Sequence, residues 1–208
     1  MSLDTALARI ASLQSMLQPQ PVQQASPQLA TQFSGALQGA NASWGSTTVP
    51  GAAPVAGATS APGTPAGQAI LNAIRPEVGV AEQPPGSNDS PRIAQYRQAT
   101  AGSGVGPWCA YFVSWAARQA GVPIGDSGQG FGRVDDVYAW AQKAGKALPA
   151  GATPTPGDLI VWDEHIGVVE SVDADGTIHT IEGNSSDKVS QRTYGADGGG
   201  AVGYVRLG

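Results

Sequence analysis

Helical patterning over residues 69–149, followed by short β-rich runs from residue 157 onward, predicts an α+β domain with helices packed on an antiparallel sheet. The change of period is one observation behind this. The other is a compositional split: residues 1–66 contain two charged side chains, Asp4 and Arg9, while the other charges and nearly all the aromatics follow residue 67. The 208-residue chain is therefore divided into an N-terminal helical segment (1–37), a flexible linker (38–66) and a folded domain (67–208).

Each element has a local cause. Leu3, Leu7, Ile10, Leu13 and Leu17 recur at spacings of three and four, which makes one apolar helical stripe. A helix of that length is marginal alone in water, so the stripe is expected to dock on a protein partner, on its own copy or on the folded domain. "FSGAL" (33–37) forms one further apolar turn. The following Gly/Ala/Pro/Ser/Thr text cannot bury enough apolar area to offset the entropy of ordering it. In the domain, "AILNAIRPEVG" is a helix stopped near Pro76. Ser90 is an N-cap with Pro91 in the first turn. "CAYFVSWAARQAGVP" is a helix ended by Gly121. "DDVYAWAQKAGKALP" is another, ended by Gly145 or Pro149. "GDLIVWD", "HIGVVESV", "TIHTIEGN" and "AVGYVRL" are strands.

Several function classes are disfavoured. The net charge is −5 and there is no Lys/Arg run, so no nucleic-acid partner is expected. No apolar stretch reaches the roughly 20 residues of a membrane span. The N-terminus shows no secretory signal pattern. A single cysteine excludes an internal disulfide and multi-cysteine metal sites.

That cysteine, Cys109, follows Gly106-Pro107-Trp108 and opens a helix. Orphan N–H groups and the macrodipole at a helix start favour an anion, and a thiol there is activated as a nucleophile. It needs a base, and the chain has two histidines, His165 and His179. If "DADG" (173–176) is a four-residue hairpin loop, Val172 pairs with Thr177 and His165 lies opposite Asn184. Glu182 then shares that face, while His179 points to the other. A one-residue bulge would reverse the assignment.

"GPWCAYFVSW", "PGDLIVWDEHIGVVESV" and "TIHTIEGNSS" resemble, in order and spacing, the CHAP domain, the cysteine- and histidine-dependent amidohydrolase/peptidase family of the papain-like superfamily. The resemblance covers roughly residues 70–208. It implies a papain-like fold, Cys109 as nucleophile, His165 as base, Glu182 orienting the imidazole and Asn184 as a further polar member. It implies peptidoglycan as substrate, cleaved by amide hydrolysis through a thioester without a cofactor; some members bind calcium through acidic residues just before the nucleophile, and since "ATAGSGVGPW" offers none, no metal site is expected. Glu164 departs from the glycine common before the histidine, and a neighbouring carboxylate raises an imidazole pKa. Trp108 and Trp162 flank the two elements and are candidate substrate-binding walls, with core packing the equal alternative for each. Expected surroundings are extracytoplasmic, in the cell wall, a flagellum or a phage particle. The N-terminal text is similar to the starts of some actinobacterial flagellum-associated wall hydrolases. Two alternatives stand beside this: a cytoplasmic amidase of a small thiol or polyamine conjugate, and a wall-binding module without chemistry. "DADG" is a plain turn, since it lacks the other ligands of a calcium loop.

Overall fold

The computed structural model describes residues 62–208. The expected N-terminal helical segment, and the expected linker as far as residue 61, lie outside the described residues. Helix α1 spans Pro65–Ile74 and begins two residues ahead of the composition boundary. The Thr64 side chain caps it by accepting from the Gly67 N–H at 3.0 Å, and Pro65 occupies the first turn, where a missing N–H costs nothing. Ile70, Leu71 and Ile74 are fully buried. A 3₁₀ turn, Arg75–Glu77, follows. Its Glu77 accepts from Arg92 Nε (2.9 Å) and Tyr96 O–H (2.5 Å) on α2, Pro91–Arg97. As expected, Ser90 caps α2 by accepting from Ile93 N–H at 3.2 Å.

Helix α3, Cys109–Gln119, is the centre of the domain. Its residues from Cys109 through Ala117 are all buried, so it lies inside the core on every side. It packs on α1, α2 and the sheet. Tyr96, Trp108, Phe112 and Trp115 make an aromatic cluster along it, with centroid separations of 4.9–6.4 Å. It ends in a Schellman motif: Val122 N–H reaches Ala117 O at 3.0 Å and Gly121 N–H reaches Arg118 O at 3.1 Å. Gly121 has φ 74°, which explains why glycine ends this helix. Helix α4, Val134–Lys143, precedes the sheet, and Asp135 and Asp136 in its first turn suit the dipole. No described helix is long and apolar enough to cross a membrane.

Six strands form one antiparallel sheet in the order β1-β6-β2-β3-β4-β5. They are β1 Ala147–Pro149, β2 Leu159–Val161, β3 Ile166–Val172, β4 Ile178–Glu182, β5 Ser190–Tyr194 and β6 Gly203–Val205. Two of these differ from the sequence expectation. β1 lies in text read as the end of a helix, because Gly145 (φ 69°) stops α4 before it. β5, "SQRTY", has no apolar alternation to signal it and alternates in burial only because it edges the sheet.

The β3–β4 register also needs correction. Val172 pairs with Ile178 and not with Thr177, so the turn holds one residue more than expected. A bulge at Glu170 absorbs the shift, and beyond it Val168 pairs with Ile181. The two irregularities cancel. Near the open end of the hairpin the pairing is the expected one, which sets Gly167 across from Glu182.

Ile70→Ala is expected to cost about 2–5 kcal/mol of unfolding free energy in urea titration, as a large-to-small change at a fully buried site. A fragment starting at residue 67 should be less stable than one starting at 62 by about 1 kcal/mol, the value of the lost Thr64 cap. Equal stability of the two fragments would show that α1 needs no cap.

Candidate active site

Two elements deliver the reactive groups. The start of α3 carries Cys109, and the turn into β3 carries His165. No side chain caps α3, so its first N–H groups remain available at the sulfur's end of the helix. Cys109 lies at the edge of a cleft of about 470 Å³ lined also by Pro107, Tyr111, Arg133, Asp163 and Glu164. Hydrogen-bonding and charge interactions with Cys109 act on the His165 imidazole. The Nε2 atom of His165 lies 2.9 Å from Glu182 Oε2, so Nδ1 is the nitrogen left for the sulfur.

Glu182 is 1% exposed, and a carboxylate so buried must be fully hydrogen-bonded. Its Oε1 accepts from Thr180 Oγ1 at 2.6 Å and from Tyr194 O–H at 2.9 Å. Gly167 makes room for it: a Cβ there would sit 2.6 Å from Glu182 Cγ. Trp162 stacks on the imidazole at 5.5 Å between centroids and is held by its indole N–H on Gly198 O at 2.8 Å.

These contacts set the charges. Burial opposes a charged His165, but hydrogen bonds and charge interactions with Cys109 and Glu182 outweigh it and raise its pKa from 6.5 to about 9. Burial likewise pushes Glu182 upward, yet bonds from His165, Thr180 and Tyr194 and the imidazolium charge hold it below the usual carboxylate range. Glu164 lines the cleft.

Cys109, His165 and Glu182 thus come together, and the remaining candidates are placed differently. Asn184 is corrected: it does not face the imidazole. β4 ends at Glu182, and Asn184, in the left-handed region at φ 59°, directs its amide to Trp108 N–H and the Glu82 carboxylate. Trp108 is corrected as a substrate wall, being fully buried with its indole N–H on Glu82 Oε1 at 2.9 Å. Trp162 is half-buried against His165 and is not among the residues lining the cleft. His179 lies on the opposite face from Glu182, with Nε2 2.9 Å from Asp173 Oδ2. Sequence reasoning missed Thr180, Tyr194 and Glu82. Thr180 alternates in phase with Glu182 and was findable, Tyr194 sits on the strand that escaped notice, and Glu82 is in turn-rich text without a local signal.

A buried helix that begins at Cys109 beside an antiparallel sheet that carries His165 and Glu182 defines an α+β domain consistent with the papain-like class. Residues 100–184 match the family model of the CHAP domain. The crystal structure of an N-acetylmuramoyl-L-alanine amidase from Staphylococcus aureus is similar at 23% identity and a TM-score of 0.40, covering 51% of this chain and 33% of that one. The chain thus matches about a third of that protein's length. No curated protein matches the chain.

His165 should titrate near pH 9 by NMR, and Glu182→Gln should lower the midpoint toward the ordinary 6.5. Because the folded pKa lies above the unfolded one, the stabilisation is complete below about pH 6.5 and is lost as pH rises through about 9. Thermal melts of wild type should therefore fall across that window more steeply than those of Glu182→Gln. Parallel curves would disprove the coupling.

Proposed function

We propose that this protein is a peptidoglycan hydrolase that cleaves an amide bond, at the sugar–peptide junction or within the peptides, through Cys109 and His165. The observation that carries the reading is the His165 imidazole held on the buried Glu182 carboxylate, with Cys109 acting on the same ring and lining an open cleft. The CHAP match over the same residues supports it.

The reaction begins with a Cys109 thiolate attacking the amide carbonyl carbon, which forms an S–C bond and places negative charge on oxygen. The uncapped start of α3 offers the Cys109 N–H to that oxygen. His165, as imidazolium, donates its Nδ1 proton to the leaving nitrogen, the C–N bond breaks, and a thioester remains. Water then attacks the thioester with neutral His165 taking its proton, the C–S bond breaks, and the sulfur leaves as thiolate, which restores the thiolate–imidazolium pair. Glu182 stabilises the imidazolium throughout and keeps the ring oriented. A wall-polymer substrate sets the place of action outside the cytoplasm.

Release of soluble fragments from purified peptidoglycan is the test. Cys109→Ala should abolish it while the protein still folds, and His165→Ala should reduce it by several orders of magnitude. His179→Gln should keep most of it. Activity should fall above about pH 9, as the imidazolium loses its proton. Retention of activity in Cys109→Ala sinks the mechanism. Hydrolysis of a small thiol or polyamine amide in place of the polymer would sink the substrate class.

A further inference from the structure

The chain at the end of β4 touches the catalytic arrangement at three successive residues, 182–184. Glu182 holds His165. A Cβ on Gly183 would lie 2.6 Å from Phe112 Cβ, so the backbone rests directly on α3 one turn beyond Cys109. Asn184 then turns back to the helix start. Its amide oxygen accepts from Trp108 N–H at 3.1 Å and its nitrogen donates to Glu82 Oε1 at 3.2 Å. That orientation follows from its neighbours, since a backbone N–H only donates and a carboxylate only accepts.

Glu82 completes the arrangement. It is 3% exposed, and it also accepts from the Trp108 indole N–H at 2.9 Å and from Asn88 N–H at 2.8 Å. Trp108, the residue before the thiol, is therefore gripped at its backbone and at its ring, and both grips lead to one buried carboxylate. The mechanism above uses neither Glu82 nor Asn184. A buried polar network of this kind is costly unless every member is satisfied, so it fixes one geometry.

We propose, resting on the reading that Cys109 and His165 react together, that residues 182–184 form a spacer that sets the separation of sulfur and imidazole, with Asn184 and Glu82 as positioning residues for the nucleophile. Glu182 locates the base, and Asn184 locates the peptide leading into Cys109. Gly183 lets the two lie this close. Asn184 acts on the imidazole only through the sulfur. A misplacement of about 1 Å is worth about a hundredfold in rate, which is the size of effect the spacer controls.

His179→Gln leaves His165 as the only histidine, so its NMR titration can be followed without overlap in that background. Asn184→Gly removes the amide while keeping a backbone that suits positive φ. Asn184→Gly and Glu82→Gln should each lower the His165 midpoint, because the sulfur withdraws, and should slow fragment release from peptidoglycan by about 10- to 100-fold. With Cys109→Ala added, neither change should move the midpoint, while Glu182→Gln should still lower it. If Asn184→Gly shifts His165 equally with and without the thiol, Asn184 acts on the ring directly and the proposal fails. It fails also if Asn184→Gly titrates and cleaves as its parent does. Should one of the two variants not fold, as judged by its melting curve, the other carries the same comparison. The titrations need no substrate, so a parent protein without wall-cleaving activity would overturn the proposed function and leave the spacer to be decided by the midpoints.

Discussion

The buried carboxylate of Glu182 is the constraint around which the site is arranged. At 1% exposure it cannot be solvated, and its charge survives only because donors surround it. Thr180 and Tyr194 satisfy one oxygen and His165 the other. The need for Tyr194 gives the polar edge strand β5 a purpose, and the need for space gives Gly167 one. The imidazole then holds its proton well above its ordinary range, because carboxylate and sulfur outweigh burial.

The other half of the arrangement is the burial of α3. A helix enclosed on all sides from Cys109 to Ala117 cannot rotate or slide without breaking the aromatic cluster around Trp108 and Phe112. Cys109 therefore stands on an element enclosed by the core, and the first turn of that helix has no side-chain cap. The cleft itself is mixed in charge, with Arg133 opposed by Asp135, Asp163 and Glu164. Those are side chains suited to a polymer bearing both amino and carboxyl groups, and they fit the proposed substrate.

The sheet delivers the base to this helix through two compensating irregularities. An extra residue at the turn would by itself turn His165 away from Glu182, and the bulge at Glu170 restores the pairing. Glu170 is held at that point by Arg75 Nε at 3.2 Å and Gln191 Nε2 at 2.7 Å, so α1's end and β5 both brace the bulge.

The sequence by itself determined the helices, since their caps and stops are local: Ser90, Gly121 and Gly145 act on their own neighbours. It determined four of the six strands, which are apolar enough to announce their period. It also singled out Cys109, His165 and Glu182, because a thiol at a helix start and a base in phase with a carboxylate follow from periodicity and from the scarcity of both residue types. Tertiary structure decided everything that depends on a partner distant in the chain. The strand character of β1 and β5 comes from the neighbours they pair with. The turn and bulge cancel through contacts that no window of sequence contains. Trp108 is a buried strut held by Glu82, 26 residues before it. Asn184 bends out of its strand into the left-handed region to reach the nucleophile's own peptide. Local sequence sets which way a segment prefers to turn, whereas burial and hydrogen-bond satisfaction across the whole core decide what each polar group finally meets.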